Sequence, residues 1–238
     1  MRNHLPRTNV GAVFAWLLAL LWYGLYAAGG FALAMVVPTL PVHELRQFVP
    51  VGLLAAFAFW QIIPLFTLSS GWSLQLNKLQ IYPVPDGALF AIEVLLRLTT
   101  APEMVLILAG GLAGLLRHPS IAARYPFLLL LFIPLNLFLS LGIRELTLRS
   151  FARSRFRELF AVFLVSISIV PQILFRTELG KRSMPYLLIL ARNPATPWSE
   201  VGQLSTGAVS IANLGLPLLW TALSYWFARR QFARAVVG

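Results

Sequence analysis

The chain has 238 residues, 58% of them hydrophobic and 11% charged, with 19 Lys and Arg against 8 Asp and Glu and a formal net charge of +11. So apolar a chain leaves no room for a sizeable soluble domain, and the absence of cysteine excludes disulfides, thiolate metal sites and thiol nucleophiles. The basic excess falls in short gaps between apolar runs, where it fixes topology and meets anionic lipid headgroups, so nucleic acid is not an expected partner.

A bilayer crossing needs about 20 apolar residues, whereas a helix in a soluble core keeps a polar face. Six stretches meet the first description: Gly11 to Val37, Phe48 to Ser69, Ala88 to Leu116, Pro126 to Gly142, Leu159 to Phe175 and Ser205 to Phe227. The first follows Arg2 and Arg7 and is far longer than a signal-peptide core, so a retained anchor is expected. The fifth is short and contains Pro171, and it reaches the headgroups only if Arg155 and Arg157 extend their charged ends outward. Met184 to Leu190 is too short to cross and is expected at the interface. The predicted fold is thus one all-α domain, a polytopic helix bundle of about six spans.

An even number of crossings puts both termini on one side. That side carries 11 of the Lys and Arg residues, among them Arg2, Arg7, Lys78, Arg144 and Arg229, and the other carries 7, with Arg97 inside a span. Both termini are therefore expected in the cytoplasm.

Between the second and third spans, Trp72, Leu76, Leu79 and Tyr82 recur near helical spacing among Gln75, Asn77, Lys78 and Gln80, and Pro83 and Pro85 then stop the pattern. The expected element is a short amphipathic helix on the cytoplasmic face, the alternative being a loop anchored by Trp72 and Tyr82. After the fourth span, Arg149, Arg153 and Arg157 repeat every four residues and would line one helix face, a surface suited to lipid phosphates or an acidic protein, the alternative for each being a solvated topology signal on a turn between two spans. Inside the third span Glu93 and Arg97 are the natural ion pair, and Glu103 is the better candidate for an unpaired functional carboxylate. Ser166, Ser168, Asn136 and Asn213 are small or polar groups within or at the edge of apolar runs, expected to line the interior or pack helices.

Catalytic constellations are poor. His4, His43 and His118 form no ligand pair at helical spacing, and no phosphate-binding loop or metal motif is present, so neither a catalytic set nor a metal site is predicted. Glu145-x-x-x-Arg149 is similar to the glutamate motif of CAAX-type intramembrane proteases but lacks their doubled glutamate and downstream histidines.

The stretch Lys78-Leu79-Gln80-Ile81-Tyr82-Pro83-Val84-Pro85 before Leu89-Phe90, the basic connection Arg149 to Arg157, and Asn193-Pro194-Ala195-Thr196-Pro197 before a glycine-containing last span follow one another in a telling order. In that order the chain resembles a permease subunit of the ATP-binding-cassette type-2 transporter family. The resemblance implies one six-span half in a bacterial inner membrane, completed by a second half or a second copy. It implies no cofactor on this chain, with ATP held by a separate ATPase subunit that touches Leu76, Lys78, Leu79 and Tyr82. Arg149, Arg153 and Arg157 would then form a secondary contact. The alternatives are an intramembrane enzyme, in which Glu103, Glu145 and a histidine would converge, and a membrane assembly or binding protein without ATP-linked activity.

Overall fold

The computed structural model describes residues 9–66, 85–100, 102–151, 158–160, 162–163, 165–166, 169 and 178–237. All regular structure among them is helical. In chain order the helices are α1 (Asn9–Val36), α2 (Val42–Phe66), α3 (Asp86–Thr100), α4 (Pro102–Leu116), α5 (Phe132–Ser150), α6 (Glu178–Arg192), α7 (Pro197–Ser205) and α8 (Gly215–Val237), with short 3-10 turns at Val37–Thr39, Pro126–Leu131 and Ile211–Leu214.

Among the described residues, four segments are long and apolar enough to cross a bilayer: Gly11–Thr39, Val42–Ile62, Pro126–Ser150 and Ile211–Ala235. The chain is therefore read as a multi-pass membrane protein. Hydrocarbon explains the outer surface of α1, where Trp16 is 77% and Leu20 72% exposed. In water such a face would be a severe liability.

The boundaries differ from the hydropathy reading in three places. The third stretch is two helices, because Pro102 lacks an N–H and disfavours helical backbone in the residue before it, so it starts α4 instead of continuing α3. The fourth runs on to Ser150, carrying Arg144 and Glu145 into the bundle, where both are buried. The sixth begins later than Ser205, because α7 ends there and α8 starts only at Gly215. The fifth stretch lies largely outside the described residues. Met184 to Leu190 belongs to α6, with Pro185 inside that helix and exposed side chains from Pro185 to Leu190.

Helix packing uses small residues, as expected where lipid removes the hydrophobic drive between helices. A Cβ on Gly30 would stand 2.5 Å from the Leu106 carbonyl oxygen, and one on Gly110 would strike the backbone of Gly30. One turn further, a Cβ on Gly114 would come within 2.8 Å of the Leu33 carbonyl oxygen and 2.7 Å of Val37 Cβ. Gly110 and Gly114 are thus the contact points of α4 on α1. Gly142 does the same for α5 and α8, where a side chain would run into the Phe227 ring.

The two ends of the bundle are built differently. At one end, Leu89 and Phe90 of α3 pack with Leu141 of α5 and with Ala228 and Phe232 of α8. Phe90 makes edge contacts with Tyr225 and Phe232, with ring centroids 5.7 and 5.4 Å apart. Arg229 closes this end by donating to the Asp86 carbonyl at 3.0 Å. At the other end, His118 accepts from the Ser120 N–H at Nδ1 (3.2 Å), which leaves its proton on Nε2 to donate to the Leu40 carbonyl (2.9 Å).

Short α7 belongs to that second end. Pro197 opens it after extended Thr196, since proline gives up only an N–H that a helix start leaves free anyway. Gly207 closes it at φ +66°, with Ala208 N–H on the Gln203 carbonyl (2.9 Å) and Gly207 N–H on the Leu204 carbonyl (3.1 Å). That pair of bonds satisfies two carbonyls at the helix end and favours glycine in the left-handed position. Gly202 lets α7 sit against Pro50 of α2.

Candidate functional site

The intramembrane charges are brought together as a cluster. Glu93 and Arg97 face the same way because they are one turn apart on α3, and Arg97 Nε stands 3.4 Å from Glu93 Oε1. Arg144 of α5 reaches the same carboxylate oxygen at 3.6 Å and donates to Glu145 Oε1 at 3.0 Å. Glu93, Arg144 and Glu145 are all buried, the first at 4% exposure. Two carboxylates and two guanidinium groups give formal neutrality, which is the arrangement in which charge survives away from water.

Next to this cluster, Arg149 Nη2 donates to Gln231 Oε1 of α8. The C-terminal turns of α5 are therefore tied to α3 by charge and to α8 by a hydrogen bond. Arg149 is thus turned toward α8 at this point. Arg153 and Arg157 lie outside the described residues, as do Leu76, Lys78, Leu79 and Tyr82.

Glu103 stands apart. It lies in the first turn of α4, and its Oε1 accepts the Trp22 indole N–H of α1 at 2.9 Å. Among the described residues no cation lies within ion-pair distance of it.

Polar groups deeper in the bundle serve packing. Gln61 Nε2 donates to Asn136 Oδ1 at 3.1 Å, joining α2 to α5, and Asn136 Nδ2 returns to the Phe132 carbonyl at 2.7 Å. Asn136 is wholly buried, whereas Asn213 is exposed and Ser166 bonds back to the Val162 carbonyl at 2.8 Å. Ser168 lies outside the described residues.

A cavity of about 490 Å³ opens between α2, α5, α7 and α8, with walls that include Phe57, Leu135, Trp198, Trp220 and Phe227. Its rim is already satisfied: Trp220 donates to the Ala195 carbonyl at 3.1 Å, Trp198 to the Leu190 carbonyl at 3.2 Å, and Thr196 Oγ1 to the Asn193 carbonyl at 2.7 Å. Such an apolar space suits hydrocarbon.

Glu200 of α7, outside the four candidate spans, is buried, and its Oε2 has no hydrogen-bond partner among the described residues. Burial away from water pushes its carboxyl above the ordinary value.

Sequence reasoning missed two features that it had the means to find. Gly110-x-x-x-Gly114 is the small-residue spacing of packed membrane helices and is plain in the sequence. Gln61 is a lone amide in an apolar run, which needs a partner. The inward turn of Arg144 carried no such signal, because it sits next to a basic stretch and reads as part of it.

Glu103, Glu145 and His118 have separate partners: Trp22, Arg144 and the Leu40 carbonyl. Among the described residues no group of three or more His, Cys, Asp or Glu side chains is placed to hold a metal ion. Comparison with protein-family models, with curated proteins and with solved structures finds no match to this chain.

Proposed function

We propose that the chain is the membrane-spanning subunit of an ATP-driven exporter in the bacterial inner membrane. In this reading it crosses six times with both termini in the cytoplasm, and Leu76, Lys78, Leu79 and Tyr82 receive a separate ATPase subunit. ATP is bound by that partner. A second permease half or a second copy completes the translocation path, and Arg153 and Arg157 face anionic lipid or the ATPase as a secondary contact, while Arg149 of the same stripe is held toward α8 by Gln231.

The observation that carries the reading is the attachment of α3. It is the first described helix after residues 67–84, where the ATPase would dock, and it is joined to α5 through Glu93 and Arg144 and to α8 through Arg229 and Asp86. A displacement delivered to 67–84 would thus enter the bundle through two firm attachments at one end. Alternating access needs such a link between the driven segment and the helices that move.

The test is purification in mild detergent from the native host, followed by identification of what accompanies the chain. A stoichiometric soluble ATPase is expected. Lys78→Glu combined with Leu79→Asp should leave insertion intact while ATP hydrolysis no longer tracks export. Export unchanged by that double variant removes the assignment, and a complex without any ATPase favours an assembly or binding protein instead.

A further inference from the structure

Trp22 lies near the midpoint of the 28-residue α1, about 20 Å from either helix end at 1.5 Å per residue. Trp22 is 42% exposed, on the outer surface of a helix long and apolar enough to cross a bilayer. Glu103, partly exposed, therefore presents a carboxylate to the membrane near mid-depth. A carboxylate has about four lone-pair sites. The Trp22 N–H uses one of them, at 2.9 Å, and no described Lys or Arg neutralises the charge.

The neighbours are aromatic. Tyr26, one turn on from Trp22 and on the same face, packs edge-on against it with ring centroids 5.2 Å apart, and Phe59 of α2 stands 5.9 Å from Tyr26. Aromatic faces attract organic cations through their quadrupoles, most strongly where water is excluded. A carboxyl group with no described cation beside it, among such rings and open sideways to lipid, is complementary to a bulky cation dissolved in the bilayer, which would stabilise its ionised form.

We propose that Glu103, with Trp22 and Tyr26, forms an intramembrane site for a lipophilic organic cation that enters from the hydrocarbon. The cation supplies the counter-charge that no described residue gives Glu103, while its apolar substituents stay in lipid. A purely structural role needs no charge, since a glutamine carbonyl would accept from Trp22 equally well. The proposal rests on α1 crossing the bilayer and does not depend on ATP-driven export.

The full chain is reconstituted in nanodiscs of zwitterionic lipid, and tritiated tetraphenylphosphonium binding is measured above that of empty nanodiscs. Saturable binding near one cation per chain is expected, competed by unlabelled tetraphenylphosphonium but not by neutral, isosteric tetraphenylmethane. Glu103→Gln, which keeps an acceptor for Trp22, should weaken binding by about tenfold or more, and Trp22→Leu by about threefold or more. Equal competition by the neutral isostere in the unmodified chain would overturn the proposal whether or not either variant folds. So would unchanged affinity in a folded Glu103→Gln protein.

Discussion

Arg144 lies 3.6 Å from Glu93 across the boundary between α5 and α3, and this contact joins helices that are otherwise held at that end by aromatic rings. Removing one partner leaves the other buried and uncompensated, a loss of about 3–5 kcal/mol for a buried pair. Arg144→Met should therefore lower the unfolding midpoint in detergent sharply. The exchange Glu93→Arg with Arg144→Glu should recover at least part of it, measured by thermal unfolding with size-exclusion detection. No recovery would mean that the two side chains do not act as a pair.

The glycines offer a second test, with a built-in contrast. Gly110→Val places methyl groups in the backbone of Gly30, and overpacking of this kind costs about 1–3 kcal/mol or more. Gly24→Ala meets nothing within 4 Å and gains about 1 kcal/mol of helix propensity. The expected order of thermal midpoints is Gly24→Ala at or above the unmodified chain and Gly110→Val far below it.

A third concerns the Gln61–Asn136 hydrogen bond. Interhelical polar pairs in membranes average about 0.6 kcal/mol and reach about 1.7 kcal/mol in double-mutant cycles. Asn136→Leu, Gln61→Leu and the double variant should show coupling within that range. Strict additivity would show that each amide serves only its own helix.

Glu200 predicts a pH dependence. Its folded-state value is raised, so the folded state holds the proton more tightly than the unfolded chain does. The stability this contributes is complete below the ordinary carboxyl value and is lost as pH rises through the raised folded value. Glu200→Gln should remove that fall, leaving the variant more stable than the parent at pH 8 and about equal to it at pH 4 or below. Parallel melting curves of the two proteins at both pH values check this, and an identical pH slope in the variant would exclude Glu200 as the source.

Much of the architecture was legible because lipid sets a length and a polarity that a sequence either meets or does not. Four of the six expected crossings appear as helices of crossing length, though the last is shifted toward the C-terminus. The shift has a local cause: α7 takes up Pro197–Ser205, packed against Pro50 and buried along most of its length, so the crossing helix starts only beyond it. The Glu93–Arg97 pair was readable from its four-residue spacing on one helix. The rest of the cluster was not, since Arg144 and Glu145 meet Glu93 only through the fold. No local pattern tells an inward-facing arginine from a topology signal when other arginines follow closely.

The Gly30–Gly110 crossing also sets a timetable for biogenesis. Gly30 is made before its partner, with α2 and α3 synthesised between them. Until α4 follows, the small-residue face of α1 is covered by something other than Gly110. Quality-control proteases would therefore meet a Gly110 variant as a correctly inserted chain whose α1 is left unclasped.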